Sequence, residues 1–144
     1  MKFARVRDVD PPQRGHGADA GIDFFVPNDF VPVEVEPGDR INIASGIKVD
    51  VPHGYALIAF NKSGVATKTG LLAGACVIDS GYQGEVHLNL VNASNDDVLI
   101  EPGMKILQFV MLQVGLDRPS EVHESELYID ESARGVGGFG STGI

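Results

Sequence analysis

The sequence predicts an all-β fold, a distorted jelly-roll-like sandwich or barrel with one short helix and a C-terminal arm. Apolar residues recur with a period of two along much of the chain, and turn chemistry interrupts them at intervals of roughly 8–12 residues. Only one stretch has the makings of a helix.

In chain order, "FVPVEVE" alternates Val31, Val33 and Val35 with Pro32, Glu34 and Glu36. "GIKVDV" alternates Ile47, Val49 and Val51 with Lys48 and Asp50, and "EVHLNLVN" alternates Val86, Leu88 and Leu90 with Glu85, His87 and Asn89. Such patterns predict strands with one face buried. The continuous apolar runs "YALIAF" and "KILQFVMLQV" predict strands buried on both faces. Pro27-Asn28-Asp29, Pro37-Gly38-Asp39, Pro52-His53-Gly54, Asp79-Ser80-Gly81 and Pro102-Gly103 supply the turns. The pattern E-P-G-x-[KR] occurs at residues 36–40 and 101–105 and leads into a strand each time. The helix is expected over residues 64–72, bounded by glycines. Hydrophobic density falls from Pro119, so the division expected is a body over residues 1–118 and an arm over 119–144, the arm carrying one brief strand, "ELYI".

A chain of 144 residues suits one domain, burying roughly 70% of its unfolded surface. With 11 basic against 20 acidic residues and a net charge of -9, a broad nucleic-acid surface is not expected, because affinity for the phosphate backbone comes from clustered Lys and Arg. A small phosphorylated ligand held by a few local cations remains compatible. The single cysteine, Cys76, excludes an internal disulfide and reads as a small core residue. "MKFARVRDVDPPQRG" has no apolar h-region, so no secretory signal is expected, and no run reaches membrane-spanning length. A cytoplasmic location follows, the host's cytoplasm were the chain viral, and the sequons at Asn61 and Asn92 are expected to stay unmodified.

Three segments carry more Gly, hydroxyl and charge than turns require. In "FNKSGVATKTG", Lys62, Ser63 and Gly64 open the expected helix, where a hydroxyl, a cation and free N–H groups suit phosphate oxygens; an N-cap Ser beside a solvated Lys is the plainer alternative. In "LLAGACVIDSGYQGEVHLNL", Asp79 to Tyr82 form a hairpin-like reversal. Asp79 follows an apolar run, so a partly enclosed carboxylate could act as a base on water, or it could be an ordinary turn Asp. Tyr82 is either a stacking platform or a turn aromatic. In the tail "ARGVGGFGSTGI", residues 135–140 satisfy G-x-G-x-x-G, yet only four residues follow, too few for a dinucleotide-binding helix. Arg134 and Phe139 among five glycines suggest a flap ordered by a nucleotide rather than a bare linker. The four histidines lack metal-ligand spacing.

Taken in order, these segments resemble the trimeric deoxyuridine triphosphatase family. "ADAGIDF" is similar to its A-G-x-D-L element, "NKSGVA" to P-R-S-G-L-A, "CVIDSGYQGEV" to G-V-I-D-x-x-Y-x-G-E, "PGMKILQ" to G-D-R-I-A-Q, and "RGVGGFGSTG" to R-G-x-G-G-F-G-S-T-G. The resemblance implies a jelly-roll-like subunit, a homotrimer with shared active sites, and hydrolysis of dUTP to dUMP and pyrophosphate, which limits uracil in DNA and supplies dUMP. It implies that Asp79 activates a water for in-line attack on the α-phosphorus and that Tyr82 lies beneath the deoxyribose. Lys62, Ser63, Gly64 and Gln108 would contact phosphates, and main-chain groups around Asp79, at Val77 and Ile78, would read uracil. Arg134 would hold the γ-phosphate, Phe139 would cover the base, and Gly140, Ser141 and Thr142 would close on the phosphates. Asp23 would support the site. The implied Mg²⁺ would be held by the triphosphate and water, with no direct protein ligand.

The chain departs from that pattern at Lys62, where the family usually has Arg, and at Asn61, where it has Pro. Gly81 replaces a frequent acidic residue, and Met104 and Leu107 replace acidic and small residues of the fourth motif. Two rival readings are a dCTP deaminase-like enzyme, with Glu85 as the nearest catalytic candidate, and a nucleotide-sensing regulatory protein.

Overall fold

The computed structural model describes residues 1–138. Its strands, in chain order, are β1 (Lys2–Arg5), β2 (Ile22–Phe24), β3 (Val33–Val35), β4 (Arg40–Asp50), β5 (Tyr55–Asn61), β6 (Leu71–Ala73), β7 (Val77–Asp79), β8 (Glu85–Asn92), β9 (Val98–Ile100) and β10 (Leu107–Gln113), with one α-helix, α1 (Ser63–Thr69). Among the described residues, one four-stranded sheet runs β1-β4-β8-β6 and a second runs β2-β10-β5-β7, while β3 and β9 form a separate ribbon. Every pairing is antiparallel. This is the expected jelly-roll-like sandwich.

The core lies between the two sheets. Val86, Leu88 and Leu90 of β8 are fully buried, and Leu88 sits opposite Ile43 of β4. Leu107 and Phe109 of β10 answer from the other sheet with Phe24, whose ring centroid is 4.4 Å from that of Phe109. Burial of such side chains contributes about 1.5–3 kcal/mol each. In β4 the ladder slips between Ala44 and Lys48, where Gly46 adopts φ 75°. The side chains of Val9 and Arg7 press on the space a Cβ would need there, so a glycine is required on two counts.

Several expectations need correction. In "FVPVEVE" only Val35 is buried, and Val31 is 74% exposed. Pro32 lacks an N–H and restricts the residue before it, so the strand begins at Val33 and buries one position against the ribbon partner. The runs "YALIAF" and "KILQFVMLQV" are not buried on both faces. Their inner face is core, whereas Phe60 and Leu112 on the outer face are 43% and 41% exposed. The helix stops before residue 72 because Gly70 takes a left-handed conformation and donates to Ala66 O at 3.1 Å, which releases Leu71 and Leu72 into β6. No strand forms at "ELYI". A 3-10 turn (Glu124–Glu126) takes its first residue, and Leu127, Tyr128 and Ile129 are exposed, since a strand needs a partner to pair with. Cys76 is half-buried and packs against the core from its edge.

Candidate active site

Asp79 to Tyr82 do reverse the chain, with Tyr82 N donating to Asp79 O at 3.1 Å, but the flanking strands do not pair with each other. β7 pairs with β5 in one sheet, and β8 lies in the other. The expected hairpin is therefore a crossing between sheets, and β7 is left as an edge strand. Among the described residues, its outer side keeps main-chain donors and acceptors free of any ladder. A cleft of about 240 Å³ opens beside that edge, lined by Val77, Ile78, Asp79 and Tyr82 on one side and by Asn42, Glu85, His87 and Asn89 on the other. Tyr82 is tethered by its hydroxyl, which donates to Glu85 O at 2.9 Å.

Asp79 itself is exposed, not partly enclosed as its apolar approach suggested. The apolar run buries Ile78 against the core, and alternation then turns Val77 and Asp79 to the opposite face. No ion pair engages Asp79 among the described residues.

A second cleft, of about 540 Å³, gathers Asp23, Lys62 and Gln108 with Asn61, Phe60 and the loop around Gly21. Asp23 is only 6% exposed. Its carboxylate is ion-paired with Lys62 through one oxygen and lies 3.5 Å from the Lys105 ammonium through the other. Two cations thus share one buried carboxylate, and Asp19 adds a second acidic side chain to the cleft. Gln108 sits opposite Asp23 in the β2–β10 register and donates its amide to Asn61 O at 2.8 Å. A Cβ at Gly21 would collide with that same amide, which gives the glycine of "AGID" its reason.

The remaining residues fall outside both clefts. Ser63 and Gly64 are the exposed first residues of α1. The N-cap is Lys62 rather than Ser63, without a side-chain capping bond. Arg134 lies in the exposed arm, where its Nε donates to Gly137 O at 2.9 Å, and it lines neither cleft. Phe139, Gly140, Ser141 and Thr142 lie outside the described residues.

Asp79 and the Asp23 cleft sit at opposite corners of one sheet face. The register places Asp23, Gln108 and Phe60 in one row, Val110, Ile58 and Val77 in the next, and Leu112, Ala56 and Asp79 in a third. With about 6.8 Å between such rows and about 4.8 Å between strands, Asp79 and Gln108 are about 17 Å apart.

Asn61, Leu107 and Met104 have structural explanations, and nothing in the structure explains Gly81. Asn61 Oδ1 accepts the Ala73 N–H at 2.6 Å, tying β5 to β6 across the sandwich. Leu107 is core and Met104 packs on it. A Cβ at Gly81 would meet nothing within 4 Å. Sequence reasoning did not single out Lys105, Asn42, His87 or Asn89. Lys105 was visible as the cation of the second E-P-G-x-[KR] turn, whereas the other three show only as polar members of alternating strands. Glu85 accepts from Gly46 N at 2.6 Å and from Arg7 Nε at 2.9 Å, so its carboxylate completes the β4 irregularity. Among the described residues, no group of three or more His, Cys, Asp or Glu is placed to hold a metal, and no helix is long and apolar enough to cross a membrane.

The dUTPase family model matches residues 7–143. The deoxyuridine 5'-triphosphate nucleotidohydrolase of Chlamydia muridarum is 40% identical over 114 residues, covering 78% of this chain and 77% of that one. The enzyme of the same name from Mycobacterium sp. is 36% identical over 141 residues, covering 95% and 90%. Among solved structures, the dUTPase of Staphylococcus bacteriophage 80alpha with dUpNHpp superposes with a TM-score of 0.85 at 27% identity, over 99% of this chain and 98% of that one. A match that runs through both clefts and on into the glycine-rich end, beyond the sheets that any sandwich shares, leads to one conclusion: the chain belongs to the dUTPase family.

Proposed function

We propose that the chain hydrolyses dUTP to dUMP and pyrophosphate, with Asp79 as the base. The observation that carries this reading is the shared cleft of Asp79, Tyr82 and the free edge of β7. Main-chain groups on the free side of β7, at Val77 and Asp79, present a fixed donor and acceptor array to uracil, while cytosine would oppose a donor to a donor; the expected contact from Ile78 is corrected, because its N–H and C=O face Leu57 of β5. The tethered Tyr82 ring lies beneath the deoxyribose and leaves no room for a 2′-hydroxyl. Asp79 takes a proton from a water whose oxygen attacks the α-phosphorus. The bond to the α–β bridging oxygen breaks, and pyrophosphate leaves in line.

Lys62, Ser63, Gly64 and Gln108 contact the phosphates, with Asp23 holding Lys62 in place. The distance between Asp79 and Gln108 supports placing these residues on a neighbouring copy, in a homotrimer with shared sites. The outer sheet face supports this assembly, because Ile58, Phe60, Val77, Val110 and Leu112 form an apolar strip along it, Val77 being 60% exposed. A second copy laid on that face encloses Asp79, supplying the burial that one chain lacks.

The arm over residues 119–144 acts apart from the body over 1–118. Arg134 meets the γ-phosphate, Phe139 covers the base, and Gly140, Ser141 and Thr142 close on the phosphates, excluding all water but the attacking one. The donor set does not fit a protein-bound Mg²⁺, since Asp23 is committed to two lysines and no carboxylate cluster exists among the described residues. The ion arrives as part of the substrate, Mg-dUTP. A cytoplasmic site of action matches a nucleotide substrate. The commitment of Glu85 to Gly46 and Arg7 argues against the deaminase reading.

Pyrophosphate release from dUTP, dTTP, dCTP and UTP tests the proposal. Turnover of dUTP with Mg²⁺, far above the other three, is expected, and no turnover of dUTP would refute it.

A further inference from the structure

The wall of the base cleft is held by a side chain that the reaction itself does not use. Residues 74–76 carry the chain out of the first sheet, where β6 pairs with β8, into the second, where β7 pairs with β5. Gly74 N still donates to Asn89 O at 2.9 Å, extending the β6–β8 ladder by one residue, and Cys76 O already accepts from Ala59 N at 2.8 Å. Ala75 between them belongs to neither ladder. Its N–H is taken by Asn89 Oδ1 at 2.9 Å.

The Asn89 amide is fixed from three sides. Its Nδ2 donates to Asn42 Oδ1 at 3.2 Å, and Asn42 lies directly opposite Asn89 in the β4–β8 register. A Cβ at Gly74 would strike the Asn89 Oδ1, so the amide rests on a glycine surface that no other residue offers. Turning the amide over would set a donor against the Ala75 N–H. Asn42, Ala75 and Asn89 all line the cleft with Asp79 and Tyr82. At the other end of β7 the return crossing is tied by the Tyr82 hydroxyl to Glu85 O. The separation of the β7 edge from the β4–β8 face is therefore set by two ties, one at each crossing.

We infer that Asn89 is a positioning residue that fixes the width of the base cleft and, through it, the rejection of pyrimidines bearing a 5-methyl group. This rests on the proposed uracil specificity of the same cleft. A methyl group is rejected by only about 10–200-fold even in a good pocket, and a wall that yields makes room for it. With the amide gone, the Ala75 N–H loses its partner and residues 74–76 are free to give.

The test uses the full chain and compares kcat/KM for dUTP and dTTP in Asn89→Ala, Asn42→Ala and Asn89→Asp. In Asn89→Ala the preference for dUTP falls about tenfold or more, through a gain on dTTP and a rise in KM for dUTP larger than any change in kcat. Asn42→Ala, which leaves the Ala75 bond in place, lowers the preference less. Asn89→Asp restores it, because a carboxylate oxygen still accepts from Ala75 and the turned Asn42 amide donates to the other. Hydrogen exchange at the Ala75 amide accelerates in Asn89→Ala and not in Asn89→Asp. An unchanged preference in Asn89→Ala, or an equal loss on both nucleotides, overturns the inference. Should Asn89→Ala not fold, Asn42→Ala decides by whether it lowers the preference. A wild-type chain inert toward dUTP refutes the proposed function, a result visible before any variant is made.

Discussion

The cleft beside the β7 edge and the cleft around Asp23 are built in opposite ways. Asp79 is exposed, at the end of an edge strand and outside every ion pair among the described residues. Asp23 is buried on a strand paired to β10 and holds two lysines. In the proposed reaction, the group that must gain and lose a proton is left unencumbered, whereas the groups proposed to meet a polyanion are arranged in advance. Preorganised charge acts at no reorganisation cost when substrate arrives, and a free carboxylate becomes a stronger base when a partner surface excludes water.

Replacing the carboxylate half should have the largest effect. Asp79→Asn keeps the shape of the side chain and removes the base, so kcat should fall about 10²–10⁴-fold, with calorimetric binding of dUpNHpp little changed. Loss of binding in parallel would make Asp79 a structural turn residue instead. The cation half should respond differently. Asp23→Asn leaves Lys62 and Lys105 without their shared counter-charge, and its effect should be divided between stability and binding. A loss of about 1–2 kcal/mol is expected in thermal unfolding, below the value for a fully buried pair because both lysines reach solvent. KM for dUTP should rise several-fold, whereas a lower KM would mean that Asp23 competes with phosphate for Lys62. The smallest effect belongs to Lys62→Arg. A guanidinium can grip Asp23 and phosphate together, so KM should fall about two- to threefold with kcat unchanged; a rise would show that the pocket is shaped to the ammonium.

Much of this division could be read from the residues alone, and what could not has physical causes. Alternation at Ile47, Val49, Val86, Leu88 and Leu90 gave the inner face correctly, because period two maps directly onto burial. It failed at Val31, where Pro32 delays the strand. It also failed for the outer face of β5 and β10, since an apolar run looks the same whether covered by its own chain or left for a neighbour. The motif segments named Asp79, Tyr82, Lys62 and Gln108. They gave no hint that these fall into two clefts, because that separation depends on register across three strands. Lys105 and Asn89 act only through partners distant in sequence, at Asp23 and Ala75, and no local pattern marks such pairs.

The central claim is that one copy's carboxylate cleft works with parts of another copy, and mixing two defective chains tests it most directly. Asp79→Asn lacks the base, and a chain carrying both Lys62→Ala and Gln108→Ala lacks the phosphate contacts; each alone should release almost no pyrophosphate from dUTP. Co-refolded in equal amounts, they should regain about a quarter of wild-type activity, because sites then form that take Asp79 from one chain and Lys62 with Gln108 from the other. A mixture no more active than either chain alone would place the whole site within a single copy and contradict the account.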